Sequence, residues 1–347
     1  MKKMMIISLV FMMVSLVYGT KLGVLKNVMK PETVQIDGNN IYILEGATVS
    51  VFSLIDLSFA KQFGKTGEGP AELKRVPFFT ILLKVFPEYI SEESFDELLY
   101  FTKDGSVIKE IKKPMEVKEV IPVGKNFVAK KIESSKDGNQ YVAVVLLNEK
   151  LEILKELYRQ KFSASRDKLE VIPDVINLVV CDQKIFIDES PNGFFIRVFD
   201  SAGKELYQIH EKDYQPVKIT QAHKDYALEQ LKNDPMVKGL GSWERFSKNY
   251  QFLYPEALPA IDNMMAAGKQ IFVKTHHEKD GKILYIVMDL KGKILKKAYL
   301  PPVIKRSLVD EQFGMGKYYY SIQGDTFYYL VENEASEEWE LHTAAIK

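Results

Sequence analysis

The chain has 347 residues, with 47 Lys or Arg against 47 Asp or Glu, so its formal net charge is zero. That balance excludes the basic excess of a dedicated nucleic-acid binder. An apolar fraction of 46% with 27% charged residues excludes extensive disorder. A single cysteine, Cys181, excludes an intramolecular disulfide, and its place after Leu178, Val179 and Val180 marks it as a buried small hydrophobe.

Lys2 and Lys3 precede an apolar run from Met4 to Val17, and then come Tyr18, Gly19 and Thr20. A basic start, a short apolar core and small residues at Val17 and Gly19 predict a signal peptide over 1–19, cut after Gly19. The run is shorter than the ~20 residues that span a bilayer. No cysteine lies near the cut for a lipid anchor. The expectation is an exported protein, periplasmic or extracellular, without stable membrane insertion. Removing the segment takes away two lysines and leaves a net charge of −2.

From residue 20 onward, short runs rich in β-branched and aromatic residues are bounded by Gly, Asp and Asn, as strands are. Ile41 to Leu44, Val49 to Phe52, Phe195 to Phe199, Ile271 to Val273 and Leu284 to Met288 are examples. One hairpin unit recurs: Phe101 to Ile108, Leu147 to Leu154, Phe199 to Leu206, Met288 to Leu295 and, more weakly, Phe52 to Phe59. Asp or Asn opens each strong turn and Gly closes most of them. The copies begin at 52, 101, 147, 199 and 288, so the period is 46 to 52 residues with one doubled gap. A period of roughly 40–50 residues is that of a four-stranded propeller blade. Strands at Tyr318 to Ile322, Thr326 to Val331 and Trp339 to Ile346 supply three-quarters of a sixth blade. A strand from Leu22 to Met29 would complete it and close the ring, which removes exposed sheet edges. The fold class predicted is therefore all-β: one six-bladed β-propeller domain over 20–347, in four-stranded antiparallel blades closed by both chain ends. The doubled gap holds an insertion at about 211–260 between blades four and five. In it a short helix runs from Thr220 to Leu231 and ends at Asn233-Asp234-Pro235.

Two local patterns resemble the bacterial exported six-bladed β-propeller family, a relative of the NHL and TolB-like propellers. The first is Phe63-Gly64-Lys65-Thr66-Gly67-Glu68-Gly69-Pro70-Ala71-Glu72-Leu73, similar to the linker after that family's first blade. The second runs from Tyr254 through Pro255 and Pro259 to Asp262 and leads into Gly268 to Val273. The resemblance covers residues 20–347 and implies a scaffold and an exported location, without an activity.

The Gly64–Gly69 loop lacks the Gly-Lys-Ser/Thr ending and the following helix of a P-loop, so it is not a nucleotide site. Gly64, Gly67, Gly69 and Pro70 are structural in this reading, as are Pro255 and Pro259. Lys65, Glu68 and Glu72 are candidate ligand contacts on that loop. His276 and His277 are adjacent on a strand and face opposite ways, which opposes joint metal ligation. No zinc-type Cys/His spacing and no Gly-x-Ser-x-Gly elbow is present. Glu92-Glu93 and Glu337-Glu338 read as solvated charge in polar loops, and the tyrosines from Tyr318 to Tyr320 as sheet packing. The function expected is a non-catalytic scaffold that binds a protein, peptide or glycan on one face, with no cofactor and no catalytic residue. The alternative is a metal-assisted hydrolase or lyase with a divalent cation at the channel mouth, drawing on Asp37, Asn39, Asp182, Asp188 or Asn263.

Overall fold

The computed structural model describes residues 19–76, 79–134, 139–161, 167–190, 193–303 and 318–347. The expected signal peptide lies outside the described residues except for Gly19. Strand β1 (Thr20–Val24) comes first, followed by blade 1, which is β2 (Thr33–Asp37), β3 (Asn40–Glu45), β4 (Thr48–Ser53) and β5 (Phe59–Phe63). Blade 2 is β6 (Leu82–Val85), β7 (Tyr89–Glu93), β8 (Glu97–Thr102) and β9 (Val107–Lys112). Blade 3 is β10 (Val117–Val123), β11 (Asn126–Ser134), β12 (Gln140–Leu147) and β13 (Ile153–Lys161). After β14 (Lys168–Glu170), blade 4 is β15 (Leu178–Cys181), β16 (Lys184–Asp188), β17 (Phe195–Asp200) and β18 (Glu205–His210). Three helices follow: α1 (Gln221–Asn233), α2 (Pro235–Gly239) and α3 (Trp243–Asn249), then β19 (Gln251–Leu253). Blade 5 is β20 (Asn263–Ala267), β21 (Gln270–Lys279), β22 (Lys282–Asp289) and β23 (Ile294–Leu300). Blade 6 is β24 (Tyr320–Gln323), β25 (Thr326–Asn333) and β26 (Glu338–Ala345), with β1 as its fourth and outermost strand.

The chain is thus a six-bladed propeller of four-stranded antiparallel sheets. Its recurring hairpins are the turns between third and fourth strands of blades 1 to 5. The turn chemistry is side-chain driven: Asp200 Oδ1 accepts the Ala202 and Lys204 N–H groups, and Asp289 Oδ1 those of Lys291 and Lys293. Gly292 closes its turn at φ 86°, and a Cβ there would lie 2.6 Å from Ile209 of the preceding blade. Its glycine therefore serves both turn and blade packing.

Closure uses a strand slightly earlier than Leu22 to Met29. Thr20 pairs with Thr343 and Val24 with Glu340, after which the chain turns away through Asn27 at φ 65°. Lys21 Nζ adds an ion pair to Glu340 at 2.7 Å. Blades 1 and 6 are also stitched near the axis, where Val34 N–H donates to Tyr318 O and Tyr318 N–H to Glu32 O. Among the described residues, six of the seven apolar clusters lie between neighbouring blades. The apolar face of each sheet is thus buried by the next sheet around the ring.

The seventh cluster belongs to a cap. Val171, Ala227, Leu231 and Val237 form its buried centre, with Trp243, Phe246 and Phe252 packed around them. The expected helix is present: Thr220 caps α1 and exchanges hydrogen bonds with His223, giving a capping box. The expected loop beyond it is instead α2, α3 and β19. A second insertion, before blade 4, contributes β14, which pairs in parallel with β19. Two chain connections therefore share one small core above the channel end.

Candidate functional site

Within each blade, the turn between first and second strands lies at one face of the ring, and the start of the first strand lies at the other. The cap sits at the second face. Beneath it is a cavity of about 240 Å³. Its walls come from the approaches to β15, β20 and β24, from Glu119 of β10 and Lys130 of β11, and from the Lys274–Glu278 part of β21. His223, Tyr226, Ala227 and Gln230 of α1 form the roof.

The charged walls are built from paired groups. Asp262 Oδ2 lies 2.6 Å from Lys274 Nζ, and its Oδ1 is 3.8 Å from His276 Nε2. The Asp262 N–H also donates to Lys274 O, which fixes the carboxylate against its partner strand. Asn263 Nδ2 donates to the Tyr320 hydroxyl at 2.8 Å. Glu119 sits at φ 55° where the register of β10 shifts against β11, and this bulge turns its carboxylate to Lys130 Nζ at 2.6 Å. The next N–H, of Val120, donates to Glu93 Oε2 at 2.7 Å, and Glu93 Oε1 lies 3.3 Å from Lys113 Nζ. Lys118 donates to Phe95 O and lies over the Phe95 ring; burial pushes its ammonium down to about 8.

Behind the cavity wall, Asp188 accepts the Asn177 N–H at 2.6 Å and the Asn177 side-chain amide at 2.7 Å. Burial, with Asp174 nearby, pushes the Asp188 carboxyl up to about 7. Burial likewise raises Asp174 to about 6, against hydrogen bonds from Ser190 and Gln160. This clamp shapes the Pro173–Leu178 wall.

The sequence candidates are distributed differently. Lys65, Glu68 and Glu72 do not line the cavity. Lys65 Nζ lies 2.5 Å from Glu72 Oε1, the Gly69 N–H donates to Glu72 Oε2, and Lys74 pairs with Glu68 at 2.9 Å. A Cβ on Gly67 would strike Glu72, so the loop folds tightly around that carboxylate. Pro259 lies in the cavity wall, while Pro255 lies in the chain between β19 and that wall. Of the five candidate cation ligands, Asn263 lines the cavity and Asp188 stands behind Asn177. Asp37, Asn39 and Asp182 lie at the first turns of their blades, at the opposite face. Among the described residues, no group of three His, Cys, Asp or Glu is placed to hold a metal ion. His276 faces the cavity, whereas His277 lies against Tyr214 and Gln215 O.

One expectation is overturned. Glu92 and Glu93 are not solvated loop residues; they are buried in β7. Local polarity signalled water, but in this blade the polar end of the second strand lies inside the ring. Glu119, Lys130, Asn177, Asp262 and Lys274 were not singled out as ligand-facing. Each is an ordinary polar residue in a strand or crossover, and only ring closure brings them together.

No family model matches the chain, and no curated protein matches it. Among solved structures, it is similar to a DUF4221 family member from Bacteroides vulgatus at 10% identity and TM-score 0.48, covering 94% of this chain and 97% of that one. It is similar to a calcium-binding protein, regucalcin, from Agrobacterium tumefaciens at 9% identity and TM-score 0.43, covering 94% and 93%. BamB from Moraxella catarrhalis gives 9% identity and TM-score 0.32, covering 89% and 70%. At such values no function is transferred from any of them.

Proposed function

We propose that this protein is an exported, non-catalytic binding propeller that holds a protein, peptide or glycan ligand at the capped mouth of its channel. The observation that carries this reading is the cavity beneath α1, walled by segments of four blades. Its principal carboxylates, Glu119 and Asp262, are each matched by an ammonium group at 2.6 Å. Such a wall is pre-organised and nearly charge-balanced, which suits holding a ligand. Mixed insertions gathered at one propeller face also favour recognition there.

Export is supported by the N-terminal pattern and by what the expected cut would leave. Thr20, the first residue after it, is the first residue of β1, so the closing strand survives intact. Among the described residues, no helix is long and apolar enough to cross a membrane.

The test uses the mature chain, residues 20–347, as bait against envelope and medium fractions, beside a Gln230→Trp variant that fills the cavity. Capture of a ligand by the wild type and its loss in the variant are expected. Equal capture by both proteins would move the site elsewhere. Turnover of a captured ligand would favour the metal-assisted alternative.

A further inference from the structure

Resting on the binding reading above, we infer that the cavity takes an uncharged sugar ring, gripped by Gln230 and Glu278 between apolar walls. Three features of the site lead there.

First, the lysines of the walls are spent. Lys130 is held by Glu119, and Lys274 by Asp262, each at 2.6 Å. An anionic ligand would have to break one of these pairs and leave its partner uncompensated, at considerable cost, whereas the one lining carboxylate outside these pairs, Glu278, is exposed to solvent.

Second, four backbone N–H groups of the walls are spent. Along the walls, Asp262 N–H donates to Lys274 O, Leu258 N–H to Val217 O and Tyr318 N–H to Glu32 O. The Asn177 N–H goes to Asp188. Peptides are commonly held by a free strand edge that forms a main-chain ladder. These four N–H groups are not available for such a ladder.

Third, the unspent valences suit hydroxyls. Gln230, half-buried, and Glu278, exposed, both line the cavity, and among the described residues their side chains have no hydrogen-bond partner. His223 accepts the Thr220 N–H at Nδ1, so the neutral ring carries its proton on Nε2. An amide, a carboxylate and an imidazole N–H together offer donors and acceptors to groups that are both, as sugar hydroxyls are. Pro173, Pro259 and Pro302 supply apolar surface for the C–H face of a ring. A volume of about 240 Å³ lies below the usual range of drug-sized sites and suits one or two rings.

The mature protein is titrated calorimetrically with glucose, galactose, N-acetylglucosamine, maltose and cellobiose, and in parallel with trialanine and citrate, at low and high salt. The expected result is binding of at least one sugar with no salt dependence. Its affinity should fall about tenfold or more in Gln230→Ala and in Glu278→Gln. Neither variant should change the melting temperature, since neither side chain is bonded among the described residues. His223 is left intact because it caps α1. Sugar binding untouched by both substitutions overturns the assignment of the site. Trialanine or citrate binding without any sugar overturns the ligand class but leaves the cavity as a binding site. If no probe binds, the sugar class fails; if Gln230→Trp also leaves partner capture unchanged, the binding reading fails with it.

Discussion

Glu92 offers the sharpest test of how this propeller is built. It lies in β7, paired with Leu83 on one side and Leu99 on the other, and is fully buried. Neither carboxyl oxygen has a hydrogen-bond partner among the described residues. Burial alone pushes the group from 4.5 up to about 8. The folded value is above the unfolded one, so the unfolded chain ionises first as pH rises. The contribution of Glu92 to stability is therefore fully present below about pH 4.5, falls as pH rises, and is lost once pH passes about 8. The interval corresponds to about 5 kcal/mol. Between about pH 5 and 9 most of it, about 4 kcal/mol, should be lost. In Glu92→Gln this titration disappears while the side-chain shape is kept. Urea unfolding of both proteins across that pH range measures the difference directly, because other titrating groups cancel. The variant should gain on the wild type steadily towards alkaline pH. A stability difference that is constant with pH would refute a buried, unpartnered Glu92.

Three further outcomes follow from the same packing. Lys130→Met should destabilise by about 3–5 kcal/mol in urea, since it strands the buried Glu119 carboxylate, whereas Lys130→Met with Glu119→Leu should recover most of the loss. Gly292→Ala should cost about 1–3 kcal/mol, because the turn needs positive φ and the added methyl meets Ile209; thermal unfolding would show it, and an unchanged midpoint would contradict the packing. For the mature chain, elemental analysis should find no stoichiometric divalent metal and chelation should leave the melting temperature unchanged. One tightly held ion per chain, with a large loss on chelation, would instead support the metal-assisted alternative.

Much of the fold was legible because its signals are local. The turn at Asp200 to Lys204 and its copy at Asp289 to Lys293 are written within five residues, and the period between copies counts the blades. Thr220 and His223 mark the start of α1 within one turn. β14 was harder to see: three residues give no pattern, and its partner β19 lies some 80 positions away, so the second half of the cap was missed. The same limit hid the cavity. Period-2 alternation says that one side of a strand is polar, but not whether that side meets water or the inside of a ring. Glu92 and Glu93 therefore read as solvated in sequence and are buried in the molecule. The pairing of Glu119 with Lys130 needs a bulge, and the meeting of Asp262, Gln230 and Tyr318 needs several blades and a cap to assemble. The sequence by itself determined the blade count, the hairpins and the helical insertion, because each depends on neighbours along the chain. Only the tertiary structure decided which polar groups are buried, paired or left for a ligand, because those outcomes depend on ring closure, which places distant strands side by side around one axis.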